Sequence, residues 1–167
     1  AILQFDTFGR FLNRYGAFGS VGVKFNEPKG IAVDSFGDVY VADYGNNRIL
    51  KMNTTGGFLF KILSNEGHLT GPKDVEVVYN GDIYVLDESG LKVFDGTGHF
   101  LELLIPIKNS YAFCLDDNNN IYITLPAEEL IKVFNSKGEL LTIIELDFLP
   151  LDISYQSPTL FISDPSN

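Results

Sequence analysis

The sequence predicts an all-β fold of repeated four-stranded antiparallel units. Two observations predict it: short apolar segments of three kinds recur in a fixed order, and that order repeats about every 40 residues. The sharpest segment is the second strand of each unit. It reads Gly37-Asp-Val-Tyr-Val-Ala-Asp43, Gly81-Asp-Ile-Tyr-Val-Leu-Asp87 and Asn119-Asn-Ile-Tyr-Ile-Thr-Leu125, with a weaker copy at Pro158-Thr-Leu-Phe-Ile-Ser-Asp164. The matching apolar residues Val39, Ile83, Ile121 and Leu160 are spaced by 44, 38 and 39 residues.

The third strand reads Ile2-Leu-Gln-Phe-Asp6, Ile49-Leu-Lys-Met-Asn53, Leu91-Lys-Val-Phe-Asp95 and Ile131-Lys-Val-Phe-Asn135. Each closing Asp or Asn is followed three residues later by Gly9, Gly56, Gly98 or Gly138, and then by a fourth apolar run at Phe11-Leu12, Phe58-Leu59, Phe100-Leu101 or Leu140-Leu141. Asp or Asn, two linking residues and Gly between β-type runs is a hairpin signal. The first strand comes from Gly30-Ile-Ala-Val-Asp34, Asp74-Val-Glu-Val-Val78, Tyr111-Ala-Phe-Cys-Leu-Asp116 and Leu151-Asp-Ile-Ser154. Ala127-Glu-Glu-Leu-Ile-Lys-Val-Phe134 has a helical look by itself, but its register predicts a loop and then a strand. Four antiparallel strands at this period make a β-propeller blade.

Composition narrows the function classes. A chain of 167 residues is long enough for one core without disulfides, and its single cysteine, Cys114, excludes an internal disulfide or a cysteine zinc site. Asp plus Glu number 22 against 12 Lys plus Arg, a net charge of −10. That balance argues against a phosphate-binding footprint and against an anionic membrane surface, so no nucleic-acid partner is expected. No apolar run approaches the ~20 residues of a membrane helix, so no membrane insertion is expected.

The stretch Phe25-Asn-Glu-Pro-Lys-Gly-Ile-Ala-Val-Asp34, with Gly37–Asp43 and Asn46-Asn-Arg-Ile-Leu50 after it, closely resembles an NHL repeat. The second unit keeps Pro72, its aspartate turn and Asp87 but lacks the Asn-Arg pair; the third has Leu125 where Asp would sit. The resemblance implies NHL-like blades, and the family's usual six blades would make this chain a fragment of such a ring. The phase of the ends favours a closed ring of four blades instead. The step from Asp164 through the C-terminus to Ile2 is five residues, against six from Asp43 to Ile49. The blades expected on that reading are 151–167 plus 1–19, 20–66, 67–107 and 108–150, in one domain.

For chemistry, two histidines fall apart in this register: His99 in an outer hairpin turn, His68 in a linker. No catalytic residue, metal site or cofactor is therefore expected. NHL-like propellers with lyase activity exist, but this chain lacks their histidine set. Asp116-Asp-Asn-Asn-Asn120 has the oxygens of a calcium loop without the spacing, and reads as a turn. Cys114 sits in an apolar strand without a neighbouring base and reads as an inert thiol. Asp43 reads as a loop pin.

The rim formed by the loops entering the first strands and joining the second to the third is the remaining candidate. There the binding residues expected are Lys29, Tyr44, Asn46, Asn47, Arg48, Lys73, Glu88 and Tyr111. Tyr, Asn and both charge signs suit a protein or glycan partner. The expectation is a non-catalytic binding or assembly module, extracellular or periplasmic; a propeller lyase or hydrolase with a channel-bound metal is the alternative.

Overall fold

The protein's structure, a computed structural model, describes residues 1–63, 65 and 67–165. It opens with half a blade, β1 (Ile2–Phe5) and β2 (Phe11–Tyr15), followed by a short parallel pair, β3 (Ala17–Phe18) and β4 (Lys24–Phe25). Three complete blades follow. Blade I is β5 (Pro28–Val33), β6 (Val39–Asp43), β7 (Arg48–Met52) and β8 (Phe58–Ile62). Blade II is β9 (Asp74–Val77), β10 (Ile83–Leu86), β11 (Leu91–Phe94) and β12 (Phe100–Ile105). Blade III is β13 (Phe113–Leu115), β14 (Ile121–Leu125), β15 (Leu130–Phe134) and β16 (Leu140–Glu145). A second half-blade, β17 (Ile153–Gln156) and β18 (Thr159–Ile162), comes last. Within each complete blade the strands pair antiparallel in chain order. The 127–134 stretch is one 3-10 turn at Pro126–Glu128 and then β15, as its register predicts.

One turn builds every third-to-fourth hairpin. The Gly9, Gly56, Gly98 and Gly138 amides donate to the carbonyls of Asp6, Asn53, Asp95 and Asn135 at 2.9–3.0 Å. The side-chain oxygen of each Asp or Asn also accepts the amides two and four residues on, as Asp6 does from Phe8 and Arg10 at 2.9 Å. The four glycines have φ of 78–90°, which residues with a Cβ rarely adopt. Asp34 and Asp116 make the same side-chain contacts in first-to-second turns, so the Asp116–Asn120 run is a turn.

The core lies between blades. Tyr40, Ala42 and Ile49 of blade I pack on Leu69, Val75, Ile83 and Val85 of blade II. Leu86, Leu91 and Ile105 of blade II pack on Phe113, Ile121 and Ile123 of blade III. Cys114 is buried beside Ile131 and Ile153, and burial pushes its thiol up to about 12, leaving it protonated and inert.

The all-β propeller class stands, but the closing ladder expected of a four-bladed ring is not formed. Among the described residues β1 pairs with β2 and β17 with β18, in separate sheets, and no ladder joins β1 to β18. The two half-blades also pack on different neighbours. Ile2 and Tyr15 of the first half-blade seat on the blade I cluster of Phe25, Val41 and Leu50, whereas Leu160 and Ile162 seat on blade III. Among the described residues the composite blade expected from both ends is two separate two-stranded sheets, β1–β2 and β17–β18. Ile31 and Val33, on the first strand of blade I, are left 51% and 60% exposed.

Candidate functional site

The rim is held by a buried ion pair in each of the first two blades. Asp43, at the end of β6, accepts from Arg48 Nε at 2.7 Å and from the Asn26 amide at 2.7 Å. Arg48 also donates to the carbonyls of Ser20 and Lys24, so it ties the 20–24 loop to the blade. In blade II, Asp87 accepts from Lys92 Nζ at 2.5 Å and from the Thr70 amide at 2.9 Å. All four charged side chains are buried. In blade III the equivalent pair is Leu125 opposite Leu130.

The expected rim residues divide on this frame. Arg48 is 3% exposed and fully engaged, so it is a structural residue and not a rim ligand. Asn46 donates to Asp43 and to the Gly19 carbonyl, and Asn47 accepts the Gly71 amide; both fasten loops together. Lys29, Tyr44 and Glu88 form one network across blades I and II, with the half-buried Tyr44 between two exposed charges. The Lys29 ammonium lies 3.5 Å from the Tyr44 ring centroid, and the Tyr44 hydroxyl donates to Glu88 at 3.3 Å. The Glu88 charge raises the pKa of that hydroxyl. Lys73 donates to the Ser110 carbonyl at 2.7 Å, and burial lowers its pKa.

Lys29, Lys73 and Tyr111 line a cleft of about 530 Å³ formed by the first strands β5, β9, β13 and β17 and the residues leading into them. Asp74, Glu76 and Asp152 line the same cleft. Asp74 locks blades II and III together by accepting the Val75 amide at 2.9 Å and the Phe113 amide at 3.1 Å. Burial pushes its carboxyl up to about 7, against the two amides that favour the charged form. Glu76 is pushed up to about 6 by burial. Gly30 faces Asp74: a Cβ there would collide with Asp74 Oδ1 and the Asp74 backbone. Gly30→Ala is therefore expected to part blades I and II and to lower the melting temperature by several degrees, as a thermal scan would show.

Sequence reasoning missed Lys92, although the signal was present: Asp87 and Lys92 are five residues apart, as Asp43 and Arg48 are. It also missed Lys51, which lies 3.0 and 3.1 Å from Asp34 and Asp38 at the first-to-second turn of blade I. Among the described residues no three His, Cys, Asp or Glu side chains are grouped as a metal site.

Comparison with known proteins agrees with this architecture. The family described as NHL repeat matches residues 25–52. Protein brain tumor of Drosophila melanogaster is 27% identical over 137 residues, 77% of this chain and 13% of that protein. The B-box type zinc finger protein ncl-1 of Caenorhabditis elegans is 42% identical over 48 residues, 29% of this chain and 6% of its own length. The chain thus spans a small part of these curated relatives. Among solved structures, virginiamycin B lyase from Staphylococcus aureus superposes with a TM-score of 0.74 at 14% identity, over 97% of this chain and 55% of the lyase. A streptogramin B lyase structure superposes with a TM-score of 0.72 at 18% identity, over 89% of this chain and 51% of the other. At such identities the likeness is one of fold.

Proposed function

We propose, for a chain that carries an NHL repeat and folds as propeller blades, a non-catalytic binding module that engages a protein partner through the Lys29–Tyr44–Glu88 rim. The observation that carries this reading is the division of the rim. Asp43 and Arg48 are buried and Asn46 and Asn47 fasten loops, whereas Lys29 and Glu88 are exposed and hold the half-buried Tyr44 ring between them. A rigid scaffold that presents an aromatic ring flanked by both charge signs matches the composition of protein interfaces. The Tyr44 ring, stacked against Lys29, presents contact area with few rotamers to freeze.

The test is cross-linking mass spectrometry on complexes captured from extract of the source cells. Cross-links are expected at Lys29 and Lys73. The paired substitution Tyr44→Ala with Glu88→Ala should reduce capture about tenfold while melting changes little, since both sites are at the surface. Cross-links confined to the outer strands β8, β12 and β16, where Leu59, Leu101 and Leu141 are exposed, would overturn the rim assignment. A parallel titration with polyuridylate RNA tests the charge argument, which expects no binding at physiological salt.

A further inference from the structure

The first strands of blades I to III share one register from Ile31, Val75 and Phe113 onward, and blade I alone has a bulge between Pro28 and Ile31. Val33 opposite Val39, Val77 opposite Ile83 and Leu115 opposite Ile121 fix the alignment. Lys73 then precedes Asp74 and stands three residues from Glu76 along blade II, while Lys29, in the blade I bulge, lines the same cleft. At ~3.3 Å per residue Lys73 and Glu76 are about 10 Å apart along the strand.

These groups differ in how well they are satisfied. Asp74 accepts two amides and Asp152 one, that of Ile153 at 2.9 Å. Among the described residues Glu76 has neither a hydrogen bond nor an ion pair, and it lines the cleft wall partly buried. A desolvated carboxylate without a partner is unfavourable until a cation or donor reaches it. Among the described residues Lys29 and Lys73 likewise have no carboxylate within ion-pair distance: one rests on an aromatic ring, the other on a carbonyl. The cleft volume is in the range of ligand sites, about 300–1,000 Å³.

We propose that the cleft takes a dipolar peptide segment, an acidic residue next to a lysine or arginine, with the acidic side chain held by Lys29 and Lys73 and the basic side chain by Glu76. This rests on the partner-binding reading and names the chemistry the partner brings to the channel beside the rim. A purely anionic segment would meet Asp74 and Asp152, and a purely basic one the two lysines. Opposite charges at two places along the cleft select a segment with both.

The experiment is an NMR titration of the full 167-residue chain with blocked tetrapeptides. The probes are acetyl-Gly-Glu-Lys-Gly-amide and its two relatives with Gln in place of either charged residue. The Glu-Lys peptide should bind about tenfold more tightly than either relative, with shifts confined to β5, β9, β13 and β17. Glu76→Gln should erase its advantage over the peptide lacking Lys. Lys29→Ala with Lys73→Ala should erase its advantage over the peptide lacking Glu. Equal affinity for all three peptides, shifts outside the cleft, or no shift at ~10 mM peptide would overturn the proposal. If partner capture still depends on Tyr44 and Glu88 but is indifferent to Glu76→Gln, the cleft assignment fails and the rim reading survives. If capture is indifferent to Tyr44→Ala with Glu88→Ala while the Glu-Lys peptide keeps its stated advantage, the rim reading fails and the cleft assignment survives.

Discussion

Asp43→Ala is expected to destabilise the protein by about 3–5 kcal/mol, because it leaves the Arg48 guanidinium buried without its counter-charge. For a chain of this size that is about 6–20 °C in melting temperature. The substitution also orphans the Asn26 amide, which donates to Asp43 at 2.7 Å. Blade III shows what the same place looks like without charges: Leu125 opposite Leu130. Replacing both partners, Asp43→Leu with Arg48→Leu, should therefore recover a good part of the loss. Recovery will be incomplete, since Arg48 also satisfies the Ser20 and Lys24 carbonyls. Denaturant unfolding of the single and double variants measures the difference. If the double variant were no more stable than the two single losses added together, the pair would not be acting as a unit. A melting temperature unchanged by Asp43→Ala would refute the pin outright.

The hairpin turns were legible because their cause is local. An Asp or Asn side chain accepts two nearby amides and a glycine three residues on takes the positive φ, so everything needed lies within five residues, as at Asn53–Gly57. The strands were legible for a similar reason, through repetition of one pattern. Arg48 was read as a rim residue because an arginine in a loop signature gives no sign of its depth. Its burial depends on the 20–24 loop folding back over it. The closed ring was misread for a further reason. The phase of a repeat says which strand comes next, whereas the pairing of distant ends depends on the angle at which one blade face seats on another. That angle is set by contacts such as Ile49 and Ile62 against Leu69 and Val75, which join residues far apart in sequence. The cleft was half visible: Lys29, Lys73 and Tyr111 were named, but the aspartates and Glu76 that line it with them fall in strand positions that the pattern alone assigns to packing.

Stability is expected to fall as pH rises from about 4 to about 7, and Asp74→Asn should remove most of that slope. Asp74 is squeezed between Gly30 and the amides of Val75 and Phe113, with its carboxyl raised to about 7 from an ordinary 3.8. Burial is the main cause, reinforced by the charges of Glu76 and Asp152. A carboxyl whose folded pKa is raised holds its proton in the folded state over a range where the unfolded chain has lost it. Between those two values the folded state binds more protons, so each rise in pH favours unfolding. Below about 4 both states are protonated and the penalty vanishes; above about 7 both are ionised and the penalty is complete. Three pH units correspond to on the order of 4 kcal/mol. Glu76, raised from 4.5 to about 6, adds to the slope in the same direction. A chain with net charge −10 also loses stability with rising pH through general repulsion, so the variant and not the parent curve is decisive. Asn has one acceptor oxygen where the carboxylate has two, and so leaves one amide unpaired at every pH. That loss is an offset, and the slope reports the buried charge. Melting curves of parent and Asp74→Asn between pH 4.5 and 8 should diverge steadily, with the variant gaining relative to the parent as pH rises. Parallel curves would mean that Asp74 titrates alike in the folded and unfolded chain, and that the seam between blades II and III carries its charge without penalty.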